Sequence, residues 1–121
     1  MKEEIVEAVK YQIAQFEQNT DFRVAPETTL LITILLNDIV ESPHPSWSTR
    51  SAKLRGKTIY LNSESGLLEL ARVYIATIPG ALQQIVNREG VKDTVGPFDF
   101  LHWFADVFHP GSNIGNCLIE K

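Results

Sequence analysis

Apolar residues recur every three to four positions along most of this chain, which is the spacing of a buried face on an α-helix. The pattern predicts a first helix over residues 2–18 and a central helix over residues 63–78. A shorter helix is predicted over residues 81–88, and a last one between Gly96 and Pro110. Gly90 is expected to end the third of these helices.

The central helix is apolar around most of its circumference, so the rest of the chain is predicted to pack around it. Asn62, Ser63 and Ser65 carry side-chain oxygens that accept hydrogen bonds from the free N–H groups of a first turn. Pro79 and Gly80 are expected to stop or kink this helix.

Residues 30–40 are nearly all apolar, a pattern that fits either a buried helix or a buried strand. Pro26 suits a first helical position, where its missing N–H costs nothing. Because the pattern extends to Glu41, its length favours a helix.

Two short segments predict strands that lie side by side, residues 58–61 and residues 114–119. Arg55-Gly56 predicts a hairpin turn before the first of them. Residues 42–49 contain two prolines and predict a surface loop, from which Trp47 is expected to fold back onto the core. Residues 91–95 are interpreted as a linker, and no internal repeat is evident.

Together these elements predict a single domain over residues 1–121. The fold class is α+β, with about five helices and a small sheet. An all-helical bundle is the alternative.

The net charge of −4 and pI near 5.3 argue against a general nucleic-acid binder, which needs a surplus of Lys and Arg. One short segment nevertheless holds four of the 11 basic residues: Arg50, Lys53, Arg55 and Lys57. This segment predicts either a solvated basic turn or the place where an anionic partner binds.

Cys117 is the only cysteine, so no disulfide can form within the chain, and a cytoplasmic location is expected. The first ten residues lack the basic start and apolar core of a secretion signal. The longest strongly apolar run is far shorter than the roughly 20 residues that span a bilayer, so no membrane insertion is expected.

The last helix carries a polar row, Asp99, His102, Asp106 and His109, at offsets of three and four. The Cβ atoms of such neighbours lie about 5–6 Å apart, so their side chains can bind one divalent metal ion. His44 or Cys117 would complete the set of four ligands. A solvated polar face is the alternative, and it is the default for an amphipathic helix. No motif predicts a nucleotide or other cofactor.

The two tryptophans suggest a contact surface, because aromatic residues often anchor interfaces. Trp47 lies on the predicted loop, and Trp103 lies at the border between the apolar and polar sides of the last helix. With no catalytic motif recognisable, the sequence favours a non-enzymatic protein-binding or inhibitor-type module. A metal-dependent protein that uses the Asp/His row and a homo-oligomeric structural protein are the alternatives.

Overall fold

The computed structural model describes residues 1–43, 45–54, 56–107 and 118–120. These residues form five α-helices, one short 3-10 helix and five strands. In chain order they are α1 (Glu3–Asn19), β1 (Arg23–Val24), α2 (Pro26–Glu41), the 3-10 helix (Pro45–Thr49), β2 (Arg50–Leu54), β3 (Lys57–Tyr60), α3 (Glu64–Ala76), α4 (Ile78–Glu89), β4 (Thr94–Val95), α5 (Pro97–Val107) and β5 (Leu118–Glu120). The predicted mostly helical α+β class is confirmed.

Helix α2 settles the ambiguity of the apolar run, since it is helical throughout and begins with Pro26 in its first turn. Two buried polar side chains of α2 form hydrogen bonds with other parts of the fold. Thr28 Oγ1 donates to the carbonyl oxygen of Val95 at 2.8 Å. Asn37 accepts from the backbone N–H of Lys2 at 2.8 Å, which fixes the start of α1 against α2.

The predicted cap of α3 is present, because Ser63 Oγ accepts from the backbone N–H of Gly66. Helix α3 ends at Ala76, two residues before the predicted end at residue 78. Thr77 separates α3 from α4, and Pro79 lies in the first turn of α4, where its missing N–H has no helical partner to lose. Gly90 ends α4 in the left-handed conformation, as predicted.

The hairpin prediction is confirmed, with β2 antiparallel to β3 and Gly56 at φ +77° in the turn. The predicted neighbour of the last strand is wrong. Strand β5 pairs with β2, so the sheet order is β3, β2, β5. Hydrophobic alternation shows which face of a strand is buried, whereas it carries little information about which edge a later strand joins.

The predicted linker at residues 91–95 is also wrong in part, because β4 pairs in parallel with β1. Each of these strands follows one helix and leads into another that starts with proline, Pro26 or Pro97. The helix–strand–helix order of α1, β1 and α2 is thus repeated in α4, β4 and α5. The sequence pattern did not reveal this structural repeat. In the described part of the chain, no helix has the length and apolarity needed to span a membrane.

Candidate functional site

An apolar cavity of about 380 Å³ lies between α2, the junction of α3 with α4, and α5. Leu35 and Ile39 of α2 form one wall, and Ala81 of α4 contributes another. Both tryptophans of the chain, Trp47 and Trp103, line this same cavity. The structure therefore brings together the two residues that the sequence singled out as an aromatic surface.

Helix α5 supplies an aromatic wall. The ring centroid of Phe100 lies 6.0 Å from that of Trp103 and 5.6 Å from that of Phe104, which is a normal spacing for interacting aromatic rings. Trp103, predicted at the border between the apolar and polar sides of this helix, is buried, whereas Leu101 is 42% exposed. Trp103 Nε1 donates to Gln84 on α4, and this hydrogen bond allows the indole to be buried.

Trp47 reaches the cavity from the 3-10 helix, where the sequence had predicted an irregular loop. Its side chain is half-buried against the core, in agreement with the prediction that it folds back. Two prolines before it, Pro43 and Pro45, stop α2 from continuing.

A second, more open cleft of about 550 Å³ lies on the other side of Trp47. The ends of three helices surround it. Lys2 precedes α1, Glu41 ends α2, and Glu64 begins α3. Lys2 Nζ lies 2.7 Å from Glu64 Oε1, so an ion pair joins two of these helix ends.

Comparison of the chain with protein families, with curated proteins and with solved structures found no match. The function is therefore inferred from the chemistry of the cavity and the cleft. Both are built from neighbouring elements of this chain alone.

The Lys2–Glu64 pair makes the stability of the protein depend on pH. The hydrogen bond and charge of Lys2 lower the pKa of the Glu64 carboxyl from 4.5, and Glu64 raises the pKa of Lys2 from 10.5 in the same way. A lowered carboxyl pKa stabilises the fold above the pKa of the unfolded chain, and this contribution is lost as pH falls through the folded value. The raised Lys2 pKa stabilises the fold below 10.5, and that contribution is lost as pH rises through the folded value.

We therefore expect Glu64→Gln to lower the melting temperature slightly at pH 7 and low salt, because the pair is exposed and screened. The difference from the wild type should shrink as pH falls below 4.5 and through the lower pKa of Glu64 in the folded protein, because Glu64 is then protonated in both the folded and the unfolded state. Thermal melts at pH 7 and pH 3 measure this, with the exposed Glu27→Gln as control. A difference that is as large at pH 3 as at pH 7 would contradict the assignment.

The polar row on α5 has structural partners at each of its described positions. Asp99 accepts from the backbone N–H of Gly96 at 2.8 Å, at the start of the helix. Asp106 forms an ion pair with Arg88, and His102 Nδ1 lies 3.6 Å from Glu89 Oε1, so both bridge α5 to α4.

Among the described residues, no group of three His, Cys, Asp or Glu side chains is placed to hold a metal ion. His109, His44 and Cys117, which the metal hypothesis also invoked, lie outside the described residues. That hypothesis stays a prediction from the sequence.

The basic segment is spread along the β2–β3 hairpin. Lys53 is exposed on β2, and Lys57 forms an ion pair with Glu69 of α3. Arg50 begins β2, whereas Arg55 lies outside the described residues. The role of the basic segment as a binding surface for an anionic partner stays a prediction.

The apolar faces that suggested self-association are partly covered within the chain, since α2 packs against α3 and both helices carry buried residues, among them Leu36 and Leu70. Leu30 and Ile34 remain 52% and 40% exposed on α2, and Phe98 is 79% exposed on α5. A homo-oligomeric role stays a prediction, which sedimentation at high concentration tests.

Helical periodicity correctly predicted that Leu35, Ile39 and Ala81 belong to helices, but it did not identify them as cavity residues. A periodic apolar pattern shows that a face is turned inward. It does not show whether the facing side chains fill the space between the helices. That depends on how the helices cross, which three-dimensional packing decides.

Proposed function

We propose that this protein is a non-enzymatic binding module that takes large apolar side chains of a protein partner into the cavity between α2, α4 and α5. The observation that carries the proposal is that Trp47 and Trp103 line this cavity together. Tryptophan is enriched among the residues that dominate binding energy at protein interfaces. The chain has a single cysteine, Cys117, and so cannot form an internal disulfide, which fits a cytoplasmic setting for such a module.

The size of the cavity supports side chains as its occupants. A dry cavity of about 150 Å³ is enough to bind benzene in another protein, so about 380 Å³ accommodates roughly two large side chains. An amphipathic helix that docks into a groove presents two such anchors at positions separated by three or four residues. The lining is apolar and aromatic, as it is in sites that bind by burial rather than by hydrogen bonding.

The proposal is tested by selecting displayed random peptides against the purified protein. We expect the recovered peptides to carry two large apolar residues three or four positions apart. Ala81→Phe places a phenyl ring in the cavity and should weaken their binding at least about tenfold, since it removes roughly 1.4 kcal/mol or more of apolar burial. Ala105→Phe, on an exposed position of α5, is the matched control and should leave binding unchanged.

If Ala81→Phe fails to fold, Leu35→Phe fills the same cavity from the facing helix. Peptides that bind equally well to the wild type and to a folded cavity-filled variant would overturn the proposal. So would a selection that yields no binding peptide while small apolar compounds such as indole raise the melting temperature. That second result would assign the cavity to a small molecule.

A further inference from the structure

Trp47 is the one described residue that lines both the apolar cavity and the open cleft. Helix α2 runs past both spaces. Leu35 and Ile39 face the cavity, and Val40 and Glu41, at the end of the same helix, face the cleft. The two spaces are therefore neighbours that share Trp47 as a wall.

The two spaces differ in chemistry. The cavity is lined mainly by aliphatic and aromatic side chains, whereas the cleft carries charge. Among the described residues that line the cleft, the carboxylates of Glu41 and Glu64 face a single ammonium, that of Lys2. Lys2 contacts Glu64 directly, and Glu41 lines the same cleft, where its charge also raises the Lys2 pKa. Negative charge is thus in excess in the cleft.

We infer that the partner of the proposed function is a peptide segment whose apolar anchors are followed, past Trp47, by a basic residue that lies in the cleft beside Glu41. Charge complementarity supports this choice, because an acidic cleft favours a cationic group and repels an anionic one. This inference rests on the proposed function and specifies the partner for the same site.

The geometry of α2 sets the distance between anchor and charge. Leu35 and Glu41 are six positions apart on α2, which is about 9 Å along the helix axis and roughly 120° around it. A helical partner that runs alongside α2 needs about six residues to cover this distance, and an extended partner needs about three. The number of residues between the apolar anchor and the basic residue therefore also shows whether the bound segment is helical or extended.

The test uses the peptides that were selected for binding in the apolar cavity. Each peptide is made in three forms, with Lys, Gln or Glu at the position that is expected to lie beside Glu41. The Lys form should bind about threefold more tightly than the Gln form at low salt, and the Glu form more weakly still, as expected for an exposed ion pair. The preference should shrink in 0.5 M NaCl, because salt screens exposed charges. Glu41→Gln should remove most of the preference, whereas Glu27→Gln, at the other end of α2, should retain it.

Equal binding of the Lys, Gln and Glu forms to the wild type would overturn this inference and leave the apolar binding intact. A preference for Lys that is unchanged in Glu41→Gln would overturn it too, because the cation would then lie elsewhere. A different result, in which no peptide binding depends on the cavity, would reject the proposed function itself.

Discussion

Gly66→Ala is expected to destabilise the protein by about 3 kcal/mol or more, because the new methyl group has no space. A Cβ at this position would overlap the carbonyl oxygen of Tyr60 and lie within 2.9 Å of its carbonyl carbon. Both are backbone atoms, so no side-chain rotation relieves the clash. The first turn of α3 would have to move away from the end of β3, and the hydrogen bond between Gly66 and Ser63 would be strained as well.

Chemical denaturation with matched m-values measures this loss of stability. Gly80→Ala is the matched control, since it makes the same substitution in the first turn of α4, where a Cβ meets nothing within 4 Å. There we expect a gain of about 0.5–1 kcal/mol, because alanine reduces the conformational freedom of the unfolded chain. Similar effects of the two substitutions would contradict the close approach of α3 to β3.

Leu70→Ala is expected to cost about 3 kcal/mol, because Leu70 is fully buried on α3 and its truncation removes apolar burial and leaves a void. For a protein of this size that corresponds to a fall in melting temperature of roughly 10 °C. Calorimetry or a thermal melt followed by circular dichroism measures it.

Leu30→Ala is the control for this prediction, because it makes the same change on a helix at a side chain that is 52% exposed. Its cost should stay below about 1 kcal/mol. Equal costs for the two substitutions would mean that α3 is not the buried centre of the fold.

The sequence predicted the helices well because their apolar periodicity extends over many residues. The cap at Ser63 and the end at Gly90 were also predictable, since each depends on the chemistry of one residue type. The boundary at Thr77 was not, because Pro79 is compatible both with the end of one helix and with the first turn of the next.

The short strands were harder to predict. Thr94 and Val95 form a strand only because β1 lies beside them, and two residues are too few to show an alternating pattern. The position of β5 next to β2 likewise depends on the path of the chain in space.

The candidate site was predictable only in part. The prominence of Trp47 and Trp103 is visible in the sequence, and the structure places both on one cavity. They are 56 positions apart in the sequence and are brought together by the packing of α2, α4 and α5, and local patterns do not report such long-range contacts. The charged cleft was missed because Lys2, Glu41 and Glu64 are ordinary surface residues until three helix ends meet.

Peptide binding in the apolar cavity can be followed through the two indole N–H signals of the protein, by ¹⁵N-resolved NMR during titration with a selected peptide. Because every tryptophan in the chain lines the cavity, these two signals report its occupancy without labels or added groups. We expect the signals of Trp47 and Trp103 both to shift and to saturate at the same peptide concentration, and we expect Ala81→Phe to suppress both shifts. Peptide binding that leaves both indole signals in place would contradict the proposed function.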